Sequence, residues 1–573
     1  MDANLLDERN CLSEEEKTNI GSLEETIDNT LKNEEPKEFQ EAAQQVNSCV
    51  DLNDYSKASL FPIIGRYHHC VIPESDDHCL EILQFQRNAG SEIEELYCVL
   101  TDLEGNFHLI SSTSITGADS AGDKEILRFN KLQWKHQMIS NNHPTLLSLK
   151  TRTDKGAIIL EMQHTDYLLK PVRDWSQRLQ KHLIYDDIRV RSFQSRIRDT
   201  ITGQSQVVSE AQIPITSGVK LQTLNYVVTV NLGGENMTLI ADTGSDLTWV
   251  QCQPCKSCYN QREPLFNPSM SQSFQSVPCG SSSCNSLQFA TGNYGICGTN
   301  PPTCQYVVNY GDGSYTHGEL ARDSLLLGDT PVKDFVFGCG RNNRGLFGGV
   351  SGLMGLGRSD LSLISQTNDT FGGQFSYCLP VTHAQASGSL TLGGDTSVYR
   401  NSTPITYTKM VQNPQLSTFY LLNLTGASIG GVALQSPAFG QGNILIDSGT
   451  VITRLPPSIY SAVKAEFLKQ FTGYPQAPRF SILDTCFNLS GYDEVNIPTM
   501  SMHFEGDAEL TVDVQGIFYF VKTDASQVCL ALASLMYEDE IGIIGNYQQR
   551  NNRVIYNTAE STLGFAKETC SFS

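Results

Sequence analysis

Two short apolar runs, about 200 residues apart, stop in the same way. Thr238-Leu239-Ile240-Ala241 gives way to Asp242-Thr243-Gly244-Ser245, and Asn443-Ile444-Leu445-Ile446 to Asp447-Ser448-Gly449-Thr450. An apolar run bounded by turn residues predicts a buried strand, so each carboxylate stands where a strand runs out. Glycine permits the sharp turn that aims the carboxylate away from its strand, and the neighbouring hydroxyls are placed to hydrogen-bond around it. One such quartet is an ordinary turn. A second, after a second apolar strand, makes the turn-only reading a poor one.

The remaining pattern predicts mostly strands. Tyr226–Gly233 alternates as a strand, Tyr420–Gly426 repeats it later, and Pro457–Phe471 has helical spacing. The stretch from Cys258 to Cys304 is rich in Ser, Asn, Gly and Cys, which predicts a stapled loop. Upstream, Ile158–His164 reads as a strand and Arg173–Arg198 as an amphipathic helix. Its apolar face is expected from Trp175, Leu179, Leu183, Ile184, Ile188 and Ile197, and its charge comes from Arg173, Arg178, Lys181, Arg189, Arg191, Arg196 and Arg198. Residues 58–150 form an unassigned extension in which Leu80–Gln86 and Tyr97–Ile110 predict strands, the latter broken by a turn at Glu104-Gly105-Asn106. Residues 1–57 are acidic and polar, a leader without a packed core. His68-His69-Cys70 and His78-Cys79 match no metal-site spacing.

A formal charge of −22 argues against nucleic acid as a partner. Of 17 cysteines, five (Cys11, Cys49, Cys70, Cys79, Cys98) precede residue 211. The other twelve are Cys252, Cys255, Cys258, Cys279, Cys284, Cys297, Cys304, Cys339, Cys378, Cys486, Cys529 and Cys570. An even dozen fits a disulfide framework, and five N-x-[ST] sequons at Asn236, Asn368, Asn401, Asn423 and Asn488 fall in the same part. Both point to the secretory pathway, extracellular or vacuolar, although residue 1 does not begin a signal peptide and no run reaches the length of a membrane span. The expectation is that the first ~150 residues replace a normal leader.

If duplicated lobes face each other, Asp242 and Asp447 meet across a pseudo-two-fold axis. Two close carboxyl groups cannot both ionise, so they share a proton and act as one acid and one base on a water molecule, the known device of aspartic proteases. From about Gln222 to Ser573 the chain also resembles the pepsin-type aspartic endopeptidases, in the cysteine-rich plant branch typified by nepenthesin. Tyr310-Gly311-Asp312-Gly313-Ser314 matches the flap that closes over substrate. Trp249 stands where the family keeps the tryptophan that meets the flap tyrosine. Leu353-Met354-Gly355 and Ile543-Ile544-Gly545 match the strands behind each catalytic loop.

The resemblance implies a mainly β fold: a bilobal, pepsin-like double β-barrel with its active site between the lobes, a first lobe over 211–400 and a second over 401–573. Residues 151–210 would be a propeptide whose basic helix pairs with carboxylates over the cleft until acid protonates them. It implies catalytic Asp242 and Asp447, support from Thr243, Gly244, Ser245, Ser448, Gly449 and Thr450, and a substrate site at Tyr310, Gly311, Asp312 and Trp249. It implies disulfides 252 with 255, 258 with 339, 279 with 304, 284 with 297, 378 with 570 and 486 with 529. It implies a monomer acting on extended peptides, with no metal, no organic cofactor and no membrane. The rival is a catalytically silent inhibitor or binding protein on the same fold; such relatives characteristically lose site residues that are all present here.

Overall fold

The structure is a computed structural model. It describes residues 66–70, 79–87, 93–101, 107–111, 124–128, 149–164, 175–202 and 225–572, with short gaps at 300, 311–313, 346, 348, 382–386, 395, 400–401 and 442. The leader at 1–57, residues 203–210 of the expected propeptide, Gly311, Asp312 and Asn401 lie outside the described residues. Up to Thr116 the described part is a four-stranded antiparallel sheet, Arg66–Cys70, Cys79–Arg87, Ile93–Thr101 and Phe107–Ser111 in sequential order. Both runs expected there are strands, and the second spans two of them.

A second compact unit begins at Gly117 and runs to the end. Its first strand, Lys124–Arg128, pairs antiparallel with Glu494–Pro498, with Leu127 opposite Val495. The chain divides into its two compact units at 116/117. A five-residue strand carrying three charges has no periodicity that separates it from a loop.

The strand Ala157–His164 is likewise part of the main fold. It pairs with Tyr226–Leu232 on one side and Gly388–Leu392 on the other. Beyond the latter the sheet continues through Gln374–Cys378, Asn552–Asn557, Thr562–Lys567 and Thr406–Lys409, so it draws strands from both halves of the chain. Ile158, Ile159, Leu160 and Met162 are all buried, on both faces, which explains a continuous apolar run instead of an alternating one.

Each lobe repeats one device. In the first, Glu235–Asp242 runs parallel to Gly352–Gly355, with Gly355 opposite Asp242. In the second, Asn443–Ile446 runs parallel to Gly542–Ile544, with Ile446 opposite Ile544. The bilobal, mainly β plan is the one expected.

The basic helix spans Trp175–Thr202. Its buried row is Leu179, Leu183, Asp186, Val190, Phe193 and Ile197, flanked by His182 and Gln194. Ile184, expected on the apolar face, is 44% exposed. One residue past Leu183 turns about 100° around the helix, which carries Ile184 out of the row. Leu179 and Leu183 pack with Val451, Ile452 and Tyr547, and Val190, Phe193 and Ile197 pack with Leu416, Phe419, Leu445 and Ile543. The helix is thus seated on the second lobe along its length.

Candidate active site

Asp242 and Asp447 are both fully buried at the ends of their strands. The turn after each folds back on its own carboxylate: the Gly244 amide donates to Asp242 Oδ1 at 3.0 Å, and the Gly449 amide to Asp447 Oδ1 at 2.9 Å. The two loops then lock together. The Thr243 amide donates to Ser448 Oγ at 3.0 Å, the Ser448 amide to Thr243 Oγ1 at 2.9 Å, and Ser448 Oγ donates onward to the Ala241 carbonyl. Glycine is required at this crossing. A Cβ added at Gly244 would sit 2.6 Å from Asp447 Oδ1, and one at Gly449 would collide with Asp242 Oδ1.

The carboxylates are not equivalent. Thr450 Oγ1 donates to Asp447 Oδ2 at 2.5 Å, whereas Asp242 Oδ2 and Ser245 Oγ are buried without a hydrogen bond of ordinary geometry. The Ser245 hydroxyl still lies close enough to favour the ionised form of Asp242. Burial is the largest influence on Asp242 and raises its pKa above the usual carboxylate range; Asp447 pushes the same way and Arg189 pulls against both.

Arg189, from the basic helix, closes the site. Its Nη2 donates to Asp242 Oδ1 at 2.8 Å and to Asp447 Oδ2 at 3.0 Å, and its Nε to Asp447 Oδ2 at 3.2 Å. One nitrogen bonded to both carboxylates places them within two hydrogen-bond lengths, about 6 Å, of each other. Burial alone would lower the guanidinium's pKa, but the two aspartates raise it well above its ordinary value. The ring of Phe193 lies 4.8 Å from the same guanidinium.

Two further groups, neither expected from the sequence, fix the helix. Asp186 accepts from the Val451 amide at 2.6 Å, the Ile452 amide at 3.1 Å and Arg454 Nη2 at 2.9 Å. Gln194 exchanges both amide bonds with Ile541, at 2.6 and 3.1 Å, as a neighbouring strand would. The signal was a polar residue in phase with Leu179, Leu183 and Val190. Of the helix cations, Arg189 meets the aspartates, while Arg191 pairs with Asp187 and Arg198 with Glu540.

Over the cleft, Cys304–Asn309 and Tyr315–Leu327 form a hairpin whose tip carries Tyr310. Trp249 Nε1 donates to the Tyr310 hydroxyl at 2.8 Å, and Phe347 packs edge-on to both rings. His182, Asp186, Arg189, Asp242, Tyr310 and Val451 line one cavity. Among the described residues no cluster of side chains could hold a metal ion.

The disulfides correct four implied pairings. Cys378–Cys570 and Cys486–Cys529 are as expected, but Cys252 joins Cys339, Cys255 joins Cys258, Cys279 joins Cys297 and Cys284 joins Cys304. Register and burial explain this. Val250 lies opposite Cys339 on a parallel strand, which puts Cys252 beside it and leaves Cys255 and Cys258 to each other. Cys284 and Cys304 are both in the core, whereas Cys279 is partly exposed and Cys297 exposed.

Residues 226–394 match the family model described as xylanase inhibitor N-terminal, and residues 419–567 the one described as xylanase inhibitor C-terminal. An aspartyl protease family protein of Arabidopsis thaliana is 41% identical over 442 residues, covering 75% of this chain and 91% of its own length. The chain belongs to the pepsin-type aspartic proteases of plants, in their nepenthesin-like branch. Aspartic proteinase nepenthesin-1 of Nepenthes gracilis is 36% identical over 381 residues, 64% of this chain and 83% of its own. A solved structure titled edgp is 22% identical, covering 61% of this chain and 92% of its own, with a TM-score of 0.48. This aspartic protease is a hydrolase acting on peptide bonds. No helix among the described residues is long and apolar enough to cross a membrane. Sequon residues Asn236 and Asn368 are exposed, and Asn423 and Asn488 partly so.

Proposed function

We propose that Asp242 and Asp447 are the catalytic pair of an endopeptidase working in acid, and that the uncut chain is its self-blocked form. The observation that carries this is Arg189, whose single Nη2 spans both buried carboxylates. Without that cation, two carboxyl groups at this separation share one proton. The ionised member takes a proton from water as its oxygen attacks the peptide carbonyl, and the protonated member donates to the carbonyl oxygen. Return of a proton to the amide nitrogen then breaks the carbon–nitrogen bond.

Substrate lies extended in the cleft, with its backbone along Gly244, Gly449 and the flap, and apolar side chains against Tyr310 and Trp249. The propeptide is the helix and the strand before it, with a cut between Thr200 and Glu210 and a mature start near Ala211. Arg189 pulls the Asp242 pKa down while docked, so its departure lets the pair gain a proton and acid favours release. The mature enzyme is a monomer of the secretory pathway, glycosylated at Asn236, Asn368, Asn401, Asn423 and Asn488.

The description of the family models favours a second reading, a silent inhibitor on the same fold. A pepstatin-sensitive peptide cleavage assay at about pH 3 to 5, within the carboxylate range, separates the two. Cleavage by the processed chain is expected; a processed, folded chain without it supports the inhibitor.

A further inference from the structure

The anchor of the helix outlives the helix. Arg454 and Asp186 are each only 1% exposed, and among the described residues Asp186 is the only carboxylate paired with Arg454. Arg454 is held from behind, its Nη1 donating to the Ile452 carbonyl at 2.8 Å. Its Nη2 and the Val451 and Ile452 amides converge on the two oxygens of one carboxylate. Three donors and a full positive charge, preset around a planar anion, form a carboxylate receptor. Every donor belongs to the second lobe, a few residues past Asp447 and Gly449; the carboxylate alone belongs to the segment proposed to leave.

Departure of Asp186 strips that receptor of its anion while the cation stays in the second lobe. Asp186 and Val451 line the same cavity as Asp242 and Gly449, so the vacated position faces the path of substrate. A buried guanidinium without a counter-ion is unfavourable, and whatever anion lies in the cleft next is drawn to it.

Resting on the proposed catalytic pair, we infer that Arg454, with the Val451 and Ile452 amides, is a specificity subsite that selects an Asp or Glu side chain of the substrate, with Asp186 holding its place in the uncut chain. The helix also gives the spacing. Asp186 precedes Arg189 by three residues, about 4.5 Å along a helix, and an extended peptide advances about 3.3 Å per residue. With Arg189 at the catalytic pair, the acidic side chain belongs one or two residues from the scissile bond.

The test uses full-length protein brought to its active form by acid processing, and quenched peptides that differ by a single Glu or Gln. The substitution is placed in turn at each of three positions on either side of the scissile bond. Assay at about pH 5 keeps the glutamate largely ionised. At one position within two residues of the bond, Glu should exceed Gln by about tenfold or more in kcat/KM, chiefly through KM, the scale of a charge-assisted contact. Arg454→Gln should abolish that preference, bringing Glu and Gln peptides within twofold of each other at every position, and Arg454→Lys should keep part of it. Should Arg454→Gln fail to fold, the comparison on the natural enzyme decides alone. Glu and Gln within twofold at every position would overturn the inference and leave the catalytic reading intact. If no peptide is cut, the catalytic reading fails, and calorimetric binding of the same peptides decides the subsite by the same ratio.

Discussion

Thr243 and Ser448 each donate a backbone amide to the other's hydroxyl, at 3.0 and 2.9 Å, although 205 residues separate them. The crossing sits behind the two aspartates, so neither can shift without the other. Ser448→Ala removes the acceptor for the Thr243 amide and the donor to the Ala241 carbonyl, leaving both groups buried and unpaired. Chemical denaturation should report a loss of about 1–3 kcal/mol; no loss would mean that the loops do not depend on the brace.

Arg189→Gln leaves the two aspartates without their cation and the helix without its central contact. Breaking a buried charge pair from one side costs about 3–5 kcal/mol, so the helix should dock far more weakly. Limited digestion of the uncut chain at about pH 7, where the carboxylates ionise, should cut the variant's helix while sparing the natural protein's. Equal protection would show that the apolar row alone seats it.

Proton uptake at Asp242 and Asp447 drives release of the helix in acid, and the ion pair of Asp186 with Arg454 holds against it. Asp186→Asn removes that hold. The midpoint of self-processing, followed on gels across a pH series, should move to higher pH; an unchanged or lower midpoint would contradict the assignment.

Peptide mapping of the unreduced protein should recover Cys255 linked to Cys258 and Cys252 linked to Cys339. The Cys279–Cys297 and Cys284–Cys304 bonds should appear in the stapled loop. Cys252 linked to Cys255 would instead place the strand Trp249–Gln251 in a different register against Cys339.

The strands ending in Asp242 and Asp447 and the helix at 175–202 were legible in the sequence because each carries its own signal: a run ends in a repeated quartet, or apolar residues recur every three or four positions. The flap was reached only through the resemblance of Tyr310-Gly311-Asp312-Gly313-Ser314 to the family's motif. Which cation faces the cleft was not legible, because the helix holds several and only docking singles out Arg189. Asp186 and Arg454 were missed for a related reason: 268 residues apart, each reads as a surface charge until its partner is in place. The cysteine pairings likewise depend on strand register and depth of burial, which spacing alone does not encode.

The central claim is that two opposed carboxyl groups act together on one water molecule. Its most direct measurement is peptide cleavage by acid-treated Asp242→Asn and Asp447→Asn variants, freed of the helix by an added protease. Thermal melts confirm that each is folded. Each single change should lower kcat by about 10² to 10⁴-fold, the range for losing a general acid or base, and the double variant should fall little further because the groups act as a unit. Either single variant retaining activity within tenfold of the natural enzyme would contradict the account.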